Sequence, residues 1–202
     1  MKNEALAQWR KQERRRLLEA RVALAADTLE RWRLAIDSLI ERAFPGLQAS
    51  TLGFCWPIRG EYDARPLVER LRARGLRAAL PVVIEPGEAM KFREWQPGAE
   101  MMQGPLGIQT PVDSRELVPD VMLLPLNGWD DAGYRLGYGG GYMDRTLAAL
   151  LPRPLAIGVG YELGRLPTIR PQPWDIPMDY IVTERAAYRR GASALATMLE
   201  AK

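Results

Sequence analysis

The sequence contains no histidine and a single cysteine, Cys55. Without histidine, the Ser-His-Asp and Cys-His arrangements that activate a covalent nucleophile are excluded, and the commonest metal ligand is missing. One cysteine excludes an internal disulfide framework and, with no histidine, argues against a structural zinc site. Any catalysis must therefore depend on carboxylates, Arg, Lys, Tyr, backbone amides or a hard cation bound by oxygen atoms.

Long apolar runs and a strong charge excess are also lacking. No stretch of 18 or more apolar residues is present, so no membrane-spanning helix is expected. The charged N-terminus lacks the apolar segment of a secretory signal. With one cysteine, this composition predicts a cytoplasmic globular protein. At 202 residues and 47% hydrophobic content the chain can bury a core, and we predict one domain over residues 1–202.

The net charge is only +3, but positive charge is concentrated near the N-terminus. Arg10, Lys11 and Arg14–Arg16 lie close together there. Such a segment can bind nucleic acid or a phosphate-bearing ligand, or only keep a helix face solvated. At 100° per residue, Arg10, Arg14 and Arg21 fall within about 40° of each other, beside the apolar positions. These three arginines are therefore placed to reach inward.

Apolar patterning predicts alternating strands and helices. Two helices are expected over 4–25 and 27–43, the second with Asp27 as N-cap, and residues 1–45 should pack on the sheet. Strands are predicted at 51–56, 78–84, 91–95, 121–126, 155–161 and 179–183, helices at 64–74, 142–151 and from about 185, and irregular connections at 96–119, 127–141 and 163–177. This order predicts an α/β protein, a three-layer α/β/α fold with a mainly parallel, Rossmann-like sheet. Ligands of such sheets bind beyond the carboxyl ends of the strands.

Residues 135–145 read Arg-Leu-Gly-Tyr-Gly-Gly-Gly-Tyr-Met-Asp-Arg. Their glycines allow positive φ and a close approach to a ligand. A helix follows at once, and its free N–H groups, flanked by Arg135 and Arg145, suit a phosphate chain. Asp144, in the first helical turn, is placed to share Mg²⁺ with those phosphates. Neither the P-loop nor the dinucleotide-binding motif matches, and the spacing alone also fits a flexible glycine hinge.

This segment resembles the signature of the 5-formyltetrahydrofolate cyclo-ligase family, and the resemblance continues in the same order over nearly the whole chain. Upstream, Gly60-Glu61 is similar to the family's folate-contacting turn. Leu124-Pro125, followed by Trp129-Asp130 and Gly133, is similar to the segment that leads into the loop, with Trp129 in place of the usual Phe. Downstream, similar segments occur at 158–162, 175–179 and 181–184.

The resemblance implies an enzyme that converts 5-formyltetrahydrofolate to 5,10-methenyltetrahydrofolate. ATP and Mg²⁺ are the implied cofactors, with release of ADP and phosphate. The implied fold is like that of the sugar-phosphate isomerases and CoA transferases. The expected partner is a small-molecule folate rather than nucleic acid or a membrane, and the chain is expected to be a monomer or a weak homodimer.

Matched position by position, the family's motifs imply roles for individual residues. Arg135 and Tyr142 are the expected catalytic residues, with Tyr142 orienting the formyl group or closing over it. Asp144 and Asp175 are the expected Mg²⁺ ligands. The expected ATP-binding residues are Arg10, Arg14, Arg135, Leu136, Gly137, Tyr138, Gly139, Gly140, Gly141, Tyr142 and Met143. The expected folate-binding residues are Trp56, Glu61, Tyr138, Gly139, Gly140, Gly141 and Tyr142.

Two positions depart from the family's pattern. Trp174 stands where bacterial relatives commonly have His, and Met143 replaces the second Tyr of Tyr-Tyr-Asp. Because Trp174 cannot accept a proton, a non-catalytic folate- or nucleotide-binding paralogue of the same fold is one alternative. A nucleic-acid-binding protein that uses the basic first helix is another, and its affinity would fall steeply with salt.

Overall fold

The computed structural model describes residues 2–201, with side chains from residue 4 onward, and most of its strands belong to one sheet. The helices are α1 (Lys2–Val22), α2 (Ala26–Ala43), α3 (Arg65–Arg72) and α4 (Tyr142–Ala149). The strands are β1 (Thr51–Gly53), β2 (Arg77–Val82), β3 (Lys91–Glu94), β4 (Met101–Gln103), β5 (Gln109–Pro111), β6 (Val121–Pro125), β7 (Gly128–Asp130), β8 (Arg135–Leu136), β9 (Leu155–Val159), β10 (Arg165–Leu166), β11 (Tyr180–Val182), β12 (Ala186–Arg190) and β13 (Leu195–Glu200). Short 3₁₀ helices lie at Leu47–Ala49 and Glu162–Gly164.

The main sheet has the strand order β13-β12-β11-β9-β6-β1-β2-β3. The strands from β11 to β2 pair in parallel, whereas β3, β12 and β13 add antiparallel pairs at the two edges. The order reverses at β1, because the chain continues to β2 on one side and later returns to β6 on the other. The predicted α/β class with a mainly parallel sheet is confirmed. Ligands of such sheets bind at this reversal point.

Alternate residues of the central strands pack on opposite faces of the sheet. Leu123 and Ile157 belong to a core shared with α2 and α3. Their neighbours Leu124 and Ala156 belong to a second core, which contains Leu147 of α4. Because side chains alternate with a period of two along a strand, a strand buried on both faces must be apolar throughout. The continuous apolar runs of β6 and β9 therefore allow helices to pack on both faces of the sheet, which gives three layers.

A small sheet with the order β10-β7-β8 supports α1 and leads into the glycine-rich segment. β7 pairs with β8 antiparallel and with β10 parallel. Leu17 of α1 packs in a separate cluster with Leu136, Leu166 and Ile169. This contact fixes α1 next to β8, so the inward side of α1 faces the residues that follow Leu136. No helix within residues 2–201 is both long and apolar enough to cross a membrane.

The helix predicted from about residue 185 is wrong, because this segment forms the β12–β13 hairpin. Ala186, Ala187 and Tyr188 are buried, and β12 pairs with the edge of β11. A helix here would leave the backbone groups along that edge unpaired. Strand pairing in the tertiary structure therefore overrides the helix propensity of an alanine-rich segment.

Three further local predictions need correction. Asp27 lies in the first turn of α2, whereas Ala25 is the N-cap and no side chain caps this helix. Residues 96–119 are not irregular throughout, because β4 and β5 form an antiparallel hairpin. The predicted loop at 127–141 contains β7 and β8. Strands of two or three residues are too short for a clear periodic signal in the sequence.

Candidate active site

A cleft opens at the carboxyl edge of the parallel strands. Its walls include Cys55 and Trp56 after β1, Val83 after β2 and Pro125 at the end of β6. It encloses about 1230 Å³ of space, part of which is open solvent. β1 is the strand at which the order of the sheet reverses. The cleft therefore lies where a parallel sheet of this kind binds its ligands.

The structure brings into this one cleft every residue to which the family's motifs imply a role. Four distant segments meet there: α1, the turn after β1, the segment from β8 to the first turn of α4, and the segment before β11. The residues concerned are Arg10, Arg14, Trp56, Glu61, Arg135, Leu136, Gly137, Tyr138, Gly139, Gly140, Gly141, Tyr142, Met143, Asp144 and Asp175. Their shared location is a structural finding, whereas the binding role of each residue stays a prediction.

One wall of the cleft was missed from the sequence. The β4–β5 hairpin lines it through Gly104, Pro105, Leu106, Ile108, Gln109 and Thr110. The available signal was a pair of short segments around a turn that contains Gly104 and Gly107, a spacing typical of a hairpin. Gly107 has φ of +71°, which a tight turn of this kind requires. Trp174, at the mouth, is 66% exposed and also lines the cleft.

The glycine loop, residues 137–141, joins β8 to α4. Gly139 and Gly141 have φ of +98° and +68°, a region that residues with a Cβ rarely adopt. A Cβ on Gly139 would also lie 3.3 Å from Cζ of Arg14. Gly141 is the N-cap of α4, and no side chain caps this helix. Its first N–H groups are therefore available to an anion.

Three arginines surround the glycine loop. Arg14 Nε donates to the carbonyl of Gly137 at 2.7 Å, and Arg145 Nη2 donates to the carbonyl of Gly140 at 2.6 Å. Arg135 is 9% exposed, and its Nε has no hydrogen-bond partner among the residues that the structure describes. Arg135 also lines the cleft and adds positive charge beside the glycine loop. These contacts favour a fixed anion-binding loop over a flexible hinge.

Arg10 connects α1 to the segment before β11. Its guanidinium forms an ion pair with Asp175 and donates to the carbonyl oxygens of Ile169 and Arg170, at 3.3 and 2.8 Å. Burial lowers the pKa of Arg14, and the positive charge of nearby Arg10 lowers this pKa further. Two neighbouring guanidinium groups in a partly buried site favour a polyanionic ligand.

Asp144 and Asp175 both line the cleft, and the residue after Asp175 contacts Asp144. The backbone N–H of Ile176 donates to Asp144 Oδ1 at 3.1 Å, while Arg135 Nη2 donates to Asp144 Oδ2 at 3.0 Å. Asp175 is paired with Arg10. Nowhere in residues 2–201 do three or more His, Cys, Asp or Glu side chains group as metal ligands. Mg²⁺ commonly uses one or two carboxylates and completes its shell with water and phosphate oxygens, so this pair fits a nucleotide-bound Mg²⁺.

A second part of the cleft is formed by Glu61 and Trp56. The Glu61 side chain is only 5% exposed, and its carboxylate accepts hydrogen bonds from Tyr138 Oη at 2.7 Å and from the N–H of Ile58 at 3.0 Å. Burial raises the pKa of Glu61, while these hydrogen bonds oppose the rise. The guanidinium of Arg65 lies 4.5 Å from the centroid of the Trp56 ring. A buried carboxylate and an aromatic ring that line the same cleft suit a flat heterocycle that carries N–H donors.

Tyr142 begins α4 and faces the loop between β2 and β3. Its hydroxyl oxygen accepts a hydrogen bond from the N–H of Gly87 at 3.3 Å. The guanidinium of Arg145 lies 5.1 Å from the centroid of its ring. The tyrosine is therefore held at the wall of the cleft, between two loops.

The sequence matches the 5-formyltetrahydrofolate cyclo-ligase family over residues 6–184. This chain belongs to that family. The enzyme is 33% identical over 147 residues to the 5-formyltetrahydrofolate cyclo-ligase of Escherichia coli K12, a match that covers 69% of this chain and 80% of the relative. It is 27% identical over 139 residues to the cyclo-ligase of Haemophilus influenzae, covering 65% of this chain and 74% of the relative.

Two solved structures extend the likeness to the tertiary level. The NMR structure of the Aquifex aeolicus 5,10-methenyltetrahydrofolate synthetase matches with a TM-score of 0.77 at 27% identity, covering 95% of the enzyme and 96% of that chain. The Mycoplasma pneumoniae synthetase gives a TM-score of 0.71 at 25% identity, covering 87% and 98%. The predicted family and enzyme class are thus confirmed, and the family supports 5-formyltetrahydrofolate cyclo-ligase activity.

Proposed function

We propose that the enzyme converts 5-formyltetrahydrofolate to 5,10-methenyltetrahydrofolate in a reaction that requires ATP and Mg²⁺ and releases ADP and phosphate. The observation that carries this proposal is the single cleft that contains both the glycine loop and the buried Glu61 with Trp56. A phosphate donor and a flat heterocycle with N–H donors can therefore bind side by side.

In this proposal the phosphates of ATP bind the glycine loop. The N–H groups of Gly139–Gly141 and of the first turn of α4 donate to phosphate oxygens. Arg10, Arg14 and Arg135 line the cleft and add positive charge. Transfer of a phosphoryl group depends on positioning and charge neutralisation rather than on a protein nucleophile. A site without histidine is suited to that demand.

Folate binds next to Glu61 and Trp56 in this proposal. Each carboxylate oxygen of Glu61 accepts one protein hydrogen bond and can accept a second from the amino-substituted pterin ring. Trp56 offers an aromatic ring for contact with that ring system. Tyr138 and Tyr142 lie between the two ligands, and Tyr142 orients the formyl group.

The proposed reaction has two steps. The formyl oxygen attacks the γ-phosphorus, an O–P bond forms, and the bond between that phosphorus and the leaving ADP breaks. N10 of the folate then attacks the formyl carbon and loses its proton to the departing phosphate, and the C–O bond breaks to release hydrogen phosphate and close the ring. The chain's contribution is to hold both ligands in line and to exclude water, which lowers the entropic part of the barrier.

Asp144 and Asp175 are the residues that would hold Mg²⁺. When bound, the ion neutralises charge on the transferring phosphoryl group. Arg135 and Arg10 keep the two carboxylates in place through their ion pairs. Because both acids already have a cationic partner, the phosphates of ATP are needed to draw these arginines away. Metal and nucleotide are therefore expected to bind together.

Absorbance of the methenyl product is expected to rise only when the enzyme, 5-formyltetrahydrofolate, ATP and Mg²⁺ are all present. Excess EDTA should stop the rise, because Mg²⁺ then no longer neutralises the charge of the transferring phosphoryl group. Added Mg²⁺ should restore the rise in absorbance. The initial rate of absorbance increase is the measurement, and circular dichroism with and without EDTA is the control for folding. Binding of ATP and folate without product would favour the non-catalytic paralogue, and a rate unaffected by EDTA would reject the metal requirement.

A further inference from the structure

Arg21 is a buried arginine of α1 that lies behind the cleft lining and contacts three segments around it. The residue is 3% exposed. Its Nε donates to the carbonyl of Arg59 at 3.0 Å, its Nη1 to the carbonyl of Leu126 at 3.4 Å, and its Nη2 to Tyr138 Oη at 2.8 Å. Arg59 belongs to the turn before Glu61, Leu126 follows β6, and Tyr138 lies in the glycine loop. One guanidinium therefore links the proposed folate and nucleotide parts of the cleft.

The hydrogen bonds at Tyr138 have a defined direction. A guanidinium can only donate, so the oxygen of Tyr138 accepts from Arg21 and its own proton is directed to Glu61 Oε1 at 2.7 Å. Arg21 Nη2 itself lies 3.9 Å from Glu61 Oε1. Arg21 thus orients the Tyr138 hydroxyl and also places a positive charge near the Glu61 carboxylate.

The turn that carries Glu61 has an unusual backbone. Arg59 has φ of +50°, a region that residues with a side chain rarely adopt, and Gly60 has φ of +74°. The bond from Arg21 to the carbonyl of Arg59 holds this turn against α1. A Cβ on Gly60 would lie 3.4 Å from the carbonyl oxygen of Arg21, which shows how closely the turn and the helix pack. The position of Glu61 therefore depends on Arg21.

We propose that Arg21 is a positioning residue for folate binding, which places Glu61 as a hydrogen-bond acceptor and ties it through Tyr138 to the glycine loop. This inference rests on the proposed folate role of Glu61 and extends it to a residue that lines no part of the cleft. It follows that folate affinity depends on Arg21 more than ATP affinity does. It also follows that the two ligands influence each other's binding through this link.

The charge on Glu61 depends on groups from several elements. Tyr138 of the glycine loop, the N–H of Ile58, Arg21 of α1 and Arg59 of its own turn favour the charged form. Cys55 after β1 and Tyr161 after β9 are neutral neighbours whose pKa values the Glu61 charge helps to raise. Burial raises the pKa of Glu61, while Arg21 and Arg59 oppose the rise. Removing the charge of Arg21 should raise this pKa further, so the carboxylate would be protonated, and folate binding lost, at a higher pH.

The test compares Arg21→Met and Arg21→Lys with Arg15→Met, which alters an arginine of the same helix whose side chain is 82% exposed. In Arg21→Met, KM for 5-formyltetrahydrofolate should rise about tenfold or more, and KM for ATP should change much less. The acid limb of kcat/KM for folate should move to higher pH. Arg21→Lys keeps the positive charge but loses the planar guanidinium, so the acid side of its pH profile should move less than that of Arg21→Met. Arg15→Met should match the wild type.

Equal losses for both substrates without a shift of the acid limb would overturn the proposal, because they indicate a general structural role. Tyr138→Phe provides a second test if the Arg21 variants do not fold, and an unchanged KM for folate in that variant would also overturn it. In the double variant Arg21→Lys/Tyr138→Phe, the effect should be smaller than the sum of the two single effects, because each single change already breaks the hydrogen-bond link from Arg21 through Tyr138 to Glu61. Additive effects would contradict that link.

Calorimetric binding of 5-formyltetrahydrofolate without ATP separates this inference from the proposed reaction. If the wild type binds folate but forms no product, the proposed function fails. Weaker folate binding by Arg21→Lys would then still support the role of Arg21. If the wild type binds no folate, the inference about Arg21 fails as well.

Discussion

Asp144→Asn is expected to lower kcat/KM for ATP by about 100-fold or more, with little change in folate affinity. The Asp144 carboxylate accepts hydrogen bonds from Arg135 and from the N–H of Ile176, and it is one of two acids in the proposed nucleotide part of the cleft. Asparagine keeps the volume and one acceptor but removes the charge that would neutralise Arg135 and bind Mg²⁺. The rate of the variant should saturate only at a higher Mg²⁺ concentration than that of the wild type, because one metal ligand is lost.

The matched control for this change is Asp131→Asn. Asp131 is 54% exposed at its side chain and pairs with Arg165 on the surface. Its loss should leave the rate close to that of the wild type, because exposed ion pairs contribute little. If Asp144→Asn kept a rate within about threefold of the wild type at limiting Mg²⁺, a difference under about 1 kcal/mol, the proposed metal site would be wrong.

Trp129→Ala is expected to lower the free energy of unfolding by about 3–5 kcal/mol. Trp129 is fully buried, its Nε1 donates to the carbonyl of Tyr161 at 3.2 Å, and its ring centroid lies 5.5 Å from that of Tyr188. Alanine would leave a cavity between β7 and the main sheet and an unpaired carbonyl. Urea unfolding followed by circular dichroism is the measurement, and the midpoint should fall with little change in slope.

Trp174→Ala is the control for the stability change, because it removes the same side chain from a position that is 66% exposed. Its free energy of unfolding should stay within about 0.5 kcal/mol of the wild type. If Trp129→Ala and Trp174→Ala were equally stable, Trp129 would not be the core residue that the structure describes. A changed urea slope in Trp129→Ala would instead indicate an altered denatured state.

The parts of the fold that the sequence predicted are those with the strongest local signals. The apolar runs at 121–126 and 155–161 identified β6 and β9, because a strand covered on both faces has no polar positions. The glycines at 137–141 identified a loop that requires positive φ and close approach. The helical spacing of Arg10, Arg14 and Arg21 placed them on one side of α1, and the structure has all three in contact with other segments.

The parts of the fold that the sequence did not predict have no signal in the residues of the segment itself. Residues 186–200 are rich in alanine and suit a helix, but they form two strands because β11 offers an open edge. The β4–β5 hairpin consists of strands of three residues each, below the length at which alternation is informative. Its contribution to the cleft depends on its position beside β2, which no short segment of sequence specifies.

Residue composition and local pattern were enough to predict the α/β class, the position of the glycine loop and the kinds of chemistry available without histidine. These follow from residue type and short-range spacing, which act within a few residues. Three features came from the tertiary structure: the segment that carries Asp175 contacts Asp144, a hairpin lines one wall of the cleft, and Arg21 connects to Glu61 through Tyr138. Each of these contacts joins residues far apart in the chain. Strand order and helix packing set such contacts, and local patterning does not.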